Sequence, residues 1–115
     1  MDGRTSVAEL KEAVAVFIEG RDWERYHTSK NLAMGIAIEA AEIMEHFQWM
    51  SIEEGQELMR DASVRAEVAD ELADVLIYCL SFANQAGIDI SDAVRGKLAR
   101  NEERFPVEKY RGKGK

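Results

Sequence analysis

The sequence predicts an all-α protein built as a helical bundle. Its 115 residues include one proline and eight glycines, and no stretch shows the strict alternation of apolar and polar residues that is typical of a strand. Apolar residues instead recur at helical spacing in segments that follow Ser or Thr caps. Hydrophobic residues make up 46% and charged residues 32% of the chain, which is a globular composition. We expect one domain over residues 1–115, with a helical core at about 5–105 and a basic tail at 106–115.

The N-terminal segment carries the first helix signal. Ser6-Val-Ala-Glu9 is a capping-box pattern, and it predicts a helix that runs to about Glu19 and stops at Gly20. Residues 21–29 lack a sustained apolar period, so we expect an irregular connection there with room for one helical turn. Connections of this kind often carry ligand contacts.

Two further caps divide the middle of the chain. Thr28 or Ser29 is expected to cap a long second helix from about residue 30 to residue 47. Ser51 begins a second capping box, which predicts a short helix to about Arg60. No internal repeat is visible beyond the acidic pairs that are described below.

The C-terminal half contains two predicted helices. A long helix is expected from about residue 63 to residue 85, ending at Gly87. Ser91 is expected to cap the last helix, which should end near Arg104 because Pro106 cannot continue it.

Two acidic pairs lie inside otherwise apolar helices. Glu39-Ala-Ala-Glu42 and Glu71-Leu-Ala-Asp74 each place two carboxylates three residues apart, on the same face of a helix. Buried carboxylates must be protonated, paired with cations or bound to a metal. Two such helices face to face would form a cage of four carboxylates, and hard oxygen ligands at this density favour Mg²⁺, with Mn²⁺ as a possible substitute.

Acidic pairs also have a simpler interpretation, as solvated faces of ordinary helices. The apolar neighbours of Glu39 and Glu42 favour a ligand role, because few other charges lie on their helix. A di-iron site would instead need Glu-x-x-His on two helices, and only Glu24 and His27 have that spacing, in the polar connection. We therefore set the di-iron interpretation aside.

The charge distribution limits the partners. The net charge is −7, which argues against nucleic-acid binding. Residues 95–115 carry eight Lys or Arg and three Asp or Glu, a net +5, which leaves −12 for residues 1–94. The basic segment could cover an anion held at the acidic site, although Lys113 to Lys115 are expected to be a frayed, solvated end.

The remaining composition indicates the compartment. No stretch has the length or apolar purity of a membrane span, and the polar N-terminus does not look like a signal peptide. The single cysteine, Cys79, lies in an apolar run and is expected to be an inert core thiol. We expect a cytoplasmic protein with no membrane partner.

The motifs resemble those of the MazG-like all-α nucleoside triphosphate pyrophosphohydrolases, in particular the small dCTP pyrophosphatases. The acidic pairs are separated by 28 residues, as in that family. The similarity extends over about residues 10–112, and the matching positions beside the acids are residues 21–23, His27, Asn31, residues 47–49, residues 74–78, Lys97, Asn101, residues 104–107, Lys109 and Tyr110.

The resemblance implies a fold, a reaction and a cofactor. The expected fold is a four-helix-type bundle that assembles as a homo-oligomer, either a dimer or a tetramer. The expected reaction is hydrolysis of a deoxynucleoside triphosphate, dCTP or a dCTP analogue, to the monophosphate and pyrophosphate, which would serve to clear the nucleotide pool. Mg²⁺ bound by Glu39, Glu42, Glu71 and Asp74 would hold the phosphates. Some relatives carry a further acid where this chain has Ile38, so the general base is open between Glu42 and Glu45.

Several residues are expected to contact the substrate. Lys97 and Asn101 share a helix face and Arg104 follows one turn later, so these three could bind phosphates or simply form a solvated basic face. The same two interpretations, phosphate binding or a solvated surface, are open for Lys30 and for Lys109 to Arg111. His27 is expected to contact phosphate or sugar, unless it is a capping histidine, and Asn31 belongs to the same matching set. His46 is expected at a helix end without a catalytic role.

Three aromatic residues are expected around the base and sugar. Tyr78 follows Asp74 at i, i+4. Trp49 follows Glu42 by seven residues and is expected to continue the acidic face toward the end of the helix. Trp23 lies in the connection before His27. Aromatic residues at helical spacing can also be plain core. Two other functions stay open, namely the same chemistry on dUTP or a modified nucleotide, and a non-catalytic helical assembly module whose acids pair with Lys or Arg.

Overall fold

The computed structural model describes residues 1–113, and in that range it contains helices and turns but no strand. Its elements are α1 (Val7–Glu19), a 3-10 turn (Glu24–Tyr26), α2 (Ser29–Glu45), α3 (Ile52–Leu58), α4 (Ala62–Ala86), α5 (Ile90–Arg104) and α6 (Val107–Tyr110). The predicted all-α class is confirmed. Within residues 1–113, no helix combines the length and the hydropathy needed to cross a membrane.

Helix α4 is the central element of the fold. It is 25 residues long, and both α2 and α1 pack along it. Leu32 of α2 is the most deeply buried large side chain in the described range, with 1% of its surface exposed. A second cluster joins Val14 and Ile18 of α1 to Leu80 of α4. The core of one chain is therefore a three-helix arrangement with α4 in the middle.

Hydrogen bonds fasten α1 to the C-terminal half of α4. The side-chain amide of Asn84 donates to the carbonyl of Lys11 at 2.9 Å, and the Lys11 ammonium donates to the carbonyl of Ile88 at 2.9 Å. Gly87 ends α4 with φ of +68°, a left-handed conformation that suits glycine. The turn then brings Ile90 back against the α1–α4 cluster.

The helix caps follow the sequence signals with two differences. Ser6 and Ser51 form the predicted capping boxes, and Thr28 caps α2. Helix α4 is capped by Asp61 and so begins slightly earlier than predicted. The prediction that Ser91 caps the last helix is wrong, because the Asp89 carboxylate accepts the backbone N–H of Asp92 at 2.9 Å and starts the helix two residues earlier. The earlier start includes Ile90, whose packing on the core favours it.

Helix α5 leaves the three-helix core after its first turn. Beyond Ile90, its apolar side chains Val94 and Leu98 are exposed. Helix α6 lies in the segment that was predicted to be a basic tail, and Phe105 packs edge-on against Tyr110 at 5.1 Å between ring centroids. Of the residues predicted to form a frayed end, 114 and 115 lie outside the described range.

Candidate active site

The four predicted carboxylates meet between α2 and α4. Partial burial and the charge of Glu42 raise the pKa of Glu39, and a side-chain hydrogen bond with Glu42 acts in the same direction. The charges of Asp74 and Glu71, on the opposite helix, raise it further. Each of the other three carboxylates therefore lies near enough to Glu39 to affect its charge. The spacing within each helix and the packing of α2 on α4 thus produce one acidic cluster.

The cluster has little positive charge of its own. Among residues 1–113, the ion pairs are His46 with Glu71 and Arg60 with Glu57. No Lys or Arg in that range therefore forms an ion pair with Glu39, Glu42, Glu71 or Asp74. Carboxylates that repel one another in a partly buried site need a counter-ion or a proton.

The donor chemistry of the cluster fits a hard divalent cation, because carboxylate oxygens are the ligands that Mg²⁺ prefers. In their present rotamers, however, no three His, Cys, Asp or Glu side chains of the described chain are arranged to hold a metal ion together. The Glu71 carboxylate accepts a hydrogen bond from His46.

His46 contacts the acidic cluster, although only a position at a helix end was predicted for it. It is the C-cap residue of α2, and its Nε2 lies 2.7 Å from Oε2 of Glu71 on α4. The two side chains are 20% and 24% exposed. A signal for this position was present, because His46 follows Glu42 at i, i+4 and so shares the acidic face of α2.

Tyr78 sets the close approach of the two acidic helices. A Cβ atom at Gly35 would lie 2.9 Å from Cε1 and 3.1 Å from Cδ1 of the Tyr78 ring, so the ring lies against the bare backbone of α2. The Tyr78 ring is also nearly parallel to the ring of His27, and the two ring centroids are 6.3 Å apart. Tyr78 thus connects the acidic helices to the connection that precedes α2.

His27 is held by a buried hydroxyl. Its Nδ1 lies 3.2 Å from Oγ of Ser81, which is buried on α4. A cleft of about 170 Å³ adjoins this pair between α1, the 3-10 turn and α4. That volume is below the roughly 300–1,000 Å³ of typical small-molecule pockets, so in one chain the cleft can enclose only part of a nucleotide.

The other predicted contacts in the N-terminal half are more dispersed. The Asn31 side chain donates to the carbonyl of Tyr26 at 3.1 Å and so ties the 3-10 turn to α2. Trp23 packs edge-on against Phe17 of α1, with ring centroids 5.9 Å apart.

Trp49 lies outside α2, so the expectation that it continues the acidic helix face is wrong. The helix ends at Glu45, and the backbone then tightens into turns in which Phe47 N–H bonds to Met44 and Met50 N–H bonds to Phe47. Trp49 is 88% exposed in this connection.

The predicted phosphate-binding residues are on α5 and do not reach the acidic cluster through side-chain contacts. Within residues 1–113, no hydrogen bond or ion pair joins Lys97, Asn101 or Arg104 to the four carboxylates. Asn101 lines a small cleft beside α6, and the Arg104 guanidinium lies over the Phe105 ring at 5.1 Å. Glu45, one of the two candidate bases, is exposed at the end of α2.

The fold and the site define a class, namely all-α proteins in which two packed helices carry four facing carboxylates. Sequence comparison gives the family. A profile of the MazG-like family matches residues 34–115. The chain belongs to the MazG-like family.

The similar individual proteins include mammalian proteins named dCTP pyrophosphatase 1. The chain is 35% identical to mouse dCTP pyrophosphatase 1 over 107 residues, which are 93% of this chain and 63% of the relative. It is 32% identical to the human protein of the same name over 102 residues, 89% of this chain and 60% of the relative. It thus spans less than two thirds of the length of these relatives.

Two other comparisons give a phage enzyme and a solved structure. A dATP/dGTP diphosphohydrolase of cyanophage S-2L is 49% identical over 43 residues, 37% of this chain and 41% of that protein. The crystal structure of a pyrophosphatase from Archaeoglobus fulgidus superposes with a TM-score of 0.81 at 42% identity, covering 86% of this chain and 91% of that one. The predicted family resemblance is confirmed.

Proposed function

We propose that this protein is a metal-dependent pyrophosphohydrolase of deoxynucleoside triphosphates, and that dCTP or a dCTP analogue is its substrate. The observation that carries the proposal is the cluster of four carboxylates between α2 and α4 without Lys or Arg partners among residues 1–113. The similarity to proteins named dCTP pyrophosphatase 1 supports the choice of substrate. We place the reaction in the cytoplasm.

Glu39, Glu42, Glu71 and Asp74 would hold Mg²⁺, with Mn²⁺ as a substitute. When bound, the ion supplies positive charge that polarises the α-phosphoryl group and neutralises the pyrophosphate leaving group. A triphosphate would otherwise be repelled by a segment with net charge −12, since residues 1–94 contain seven Lys or Arg and nineteen Asp or Glu. Glu42, which is half-buried in the cluster, and Glu45 are the candidates for accepting a proton from the attacking water.

The nucleoside would be recognised by the residues around the acidic cluster. The exposed Trp49 side chain is available to stack on a base, a contact that contributes about 1–3 kcal/mol. Tyr78, held between Gly35 and His27, would lie against the deoxyribose. Trp23 would act from the connection before α2 and Asn31 from the first turn of α2, and both already make local contacts.

We also propose that the active form is a homo-oligomer, a dimer or a tetramer. The radius of gyration is 17.2 Å, whereas a compact chain of this length has about 13 Å. The accessible surface is 9219 Å², compared with about 6,300 Å² for a folded monomer of this mass. An apolar groove of about 340 Å³ between α1 and α4, together with exposed Val94 and Leu98 on α5, would be covered by a second copy.

Assembly would also bring α5 to an active site. Lys97, Asn101 and Arg104 would then contact the phosphates from a neighbouring subunit, because within residues 1–113 no hydrogen bond or ion pair joins them to the carboxylates of their own chain. Sedimentation at micromolar concentration should give a particle larger than the 13.0 kDa chain. A stable monomer would contradict the proposed assembly.

The proposed activity is tested by measuring pyrophosphate release from a panel that contains the four common dNTPs, dUTP, modified deoxycytidine triphosphates and CTP. Each nucleotide is assayed with Mg²⁺, with Mn²⁺ and with EDTA. We expect release that depends on the metal and is fastest with dCTP or one of its analogues. Faster cleavage of dUTP would keep the reaction and change the substrate. No cleavage of any triphosphate with either metal would favour the non-catalytic assembly module.

A further inference from the structure

The hydrogen bond between His46 and Glu71 links α2 to α4 at the acidic cluster. His46 Nε2 lies 2.7 Å from Glu71 Oε2, at the short end of the range for charge-assisted hydrogen bonds. The bond crosses from the C-cap of α2 to the middle of α4. Because a carboxylate can only accept, the imidazole is the donor.

The surroundings distinguish this bond from an ordinary surface ion pair. The other ion pair in residues 1–113, Arg60 with Glu57, has the same 2.7 Å length, but its side chains are 77% and 71% exposed and lie three residues apart on one surface. The side chains of His46 and Glu71 are only 20% and 24% exposed, and the two residues are 25 positions apart in the chain. A partly buried bond between two helices restricts both side chains much more than an exposed local pair does.

The bond occupies one oxygen of Glu71. Within the described chain, Oε1 of Glu71 has no hydrogen-bond partner, whereas Oε2 is fixed by His46. A carboxylate with one anchored oxygen keeps the other oxygen available for an ion and loses less rotamer freedom when the ion binds.

We propose that His46 is a positioning residue that orients the Glu71 carboxylate for the divalent cation. The proposal rests on the proposed function, since it concerns the same metal site. His46 does not contact the substrate in this mechanism, and it acts through Glu71. Removing a partner of this kind typically lowers metal affinity or activity about 10-fold to 100-fold.

The test is the affinity of the substrate-free protein for Mn²⁺, measured from the electron paramagnetic resonance signal of the free ion. His46→Leu removes the donor at similar volume, and we expect it to raise the Kd about 10-fold to 100-fold. His46→Gln keeps an N–H near the position of Nε2 and should restore most of the affinity. Arg60→Leu breaks the exposed pair of equal length and should leave the Kd unchanged.

A kinetic measurement separates positioning from a general structural effect. In His46→Leu, the Mg²⁺ concentration for half-maximal activity should rise by the same factor as the Kd, while kcat at saturating Mg²⁺ should approach that of the wild type. If the leucine variant does not fold by circular dichroism, His46→Phe, which keeps a planar ring without a donor, takes its place.

The outcomes separate the inference from the proposed function. If the wild type binds Mn²⁺ and the leucine or phenylalanine variant binds it equally well, the role of His46 is overturned and the metal site stands. If glutamine is as damaging as leucine, donation from Nε2 is not the cause and the inference is also overturned. If the wild type binds no Mn²⁺, both the metal site and the inference fail together.

Discussion

Replacing Gly35 by alanine should destabilise the α2–α4 pair, although glycine is ordinarily a poor residue inside a helix. The added Cβ would lie 2.9 Å and 3.1 Å from two atoms of the Tyr78 ring, well inside normal contact distance. Overpacking of this kind costs about 1–3 kcal/mol, whereas the helix gains about 0.5–1 kcal/mol from the loss of glycine. We therefore expect a net loss of about 0–2.5 kcal/mol in the free energy of unfolding.

Gly96 provides the matched control. It lies within α5, two residues from both Val94 and Leu98 and so on the opposite side of the helix, and a Cβ there would meet only the end of the Arg100 side chain at 3.5 Å. Gly96→Ala should therefore show the propensity gain alone. The two alanine variants should differ in unfolding free energy by about 1–3 kcal/mol, because the propensity term cancels between them.

The assay is urea denaturation in EDTA at one fixed protein concentration, since assembly would make the midpoint depend on concentration. A double-mutant cycle adds Tyr78→Ala. In that background Gly35→Ala should become neutral or stabilising, because the ring that it meets is gone. The reasoning would be refuted if Gly35→Ala stabilised the wild type as much as Gly96→Ala does.

Three further predictions concern the site. Glu42→Gln or Glu71→Gln should abolish turnover while the protein stays folded. The thermal stability of either variant without metal should equal or exceed that of the wild type, because repulsion between the carboxylates is relieved. Loss of the fold in metal-free buffer would show instead that these carboxylates are structural. Trp49→Ala should raise KM for dCTP about 5-fold to 150-fold with kcat largely kept, and unchanged KM would remove the stacking role. Because folding raises the pKa of Glu39, the native state binds more protons than the unfolded state does at a pH just above the ordinary glutamate pKa. Metal-free stability should therefore fall as pH rises through that window, and urea denaturation across pH should show a smaller fall in Glu39→Gln.

Local signals located most of the helices and the acidic face. Capping residues such as Ser6 and Ser51 specify where a helix begins, because they satisfy N–H groups that would otherwise lack partners. The spacing of each acidic pair fixes its face. Two apolar helices in a chain of this size are expected to pack together. The clustering of Glu39 with Glu71 followed from these facts alone.

Features that depend on the register between helices could not be predicted. The contact of Tyr78 with Gly35 requires one particular alignment of α2 and α4, and no local spacing specifies it. Trp49 was misplaced because the end of α2 depends on how the chain turns into α3. His46 has the right spacing for the acidic face, but a histidine at a helix end is ordinarily solvated, so only the alignment of the helices gives it a partner.

The location of all four carboxylates on α2 and α4 has an evolutionary consequence. If the proposed function holds, substitutions in α1, the 3-10 turn, α3 or α5 would change the surroundings of a bound nucleotide while the helix pair that carries the acids is left intact. The choice of substrate could therefore change in a lineage while the four carboxylates stay the same. The different nucleotides in the names of the relatives, dCTP for the mouse protein and dATP/dGTP for the phage protein, are what such a separation would produce.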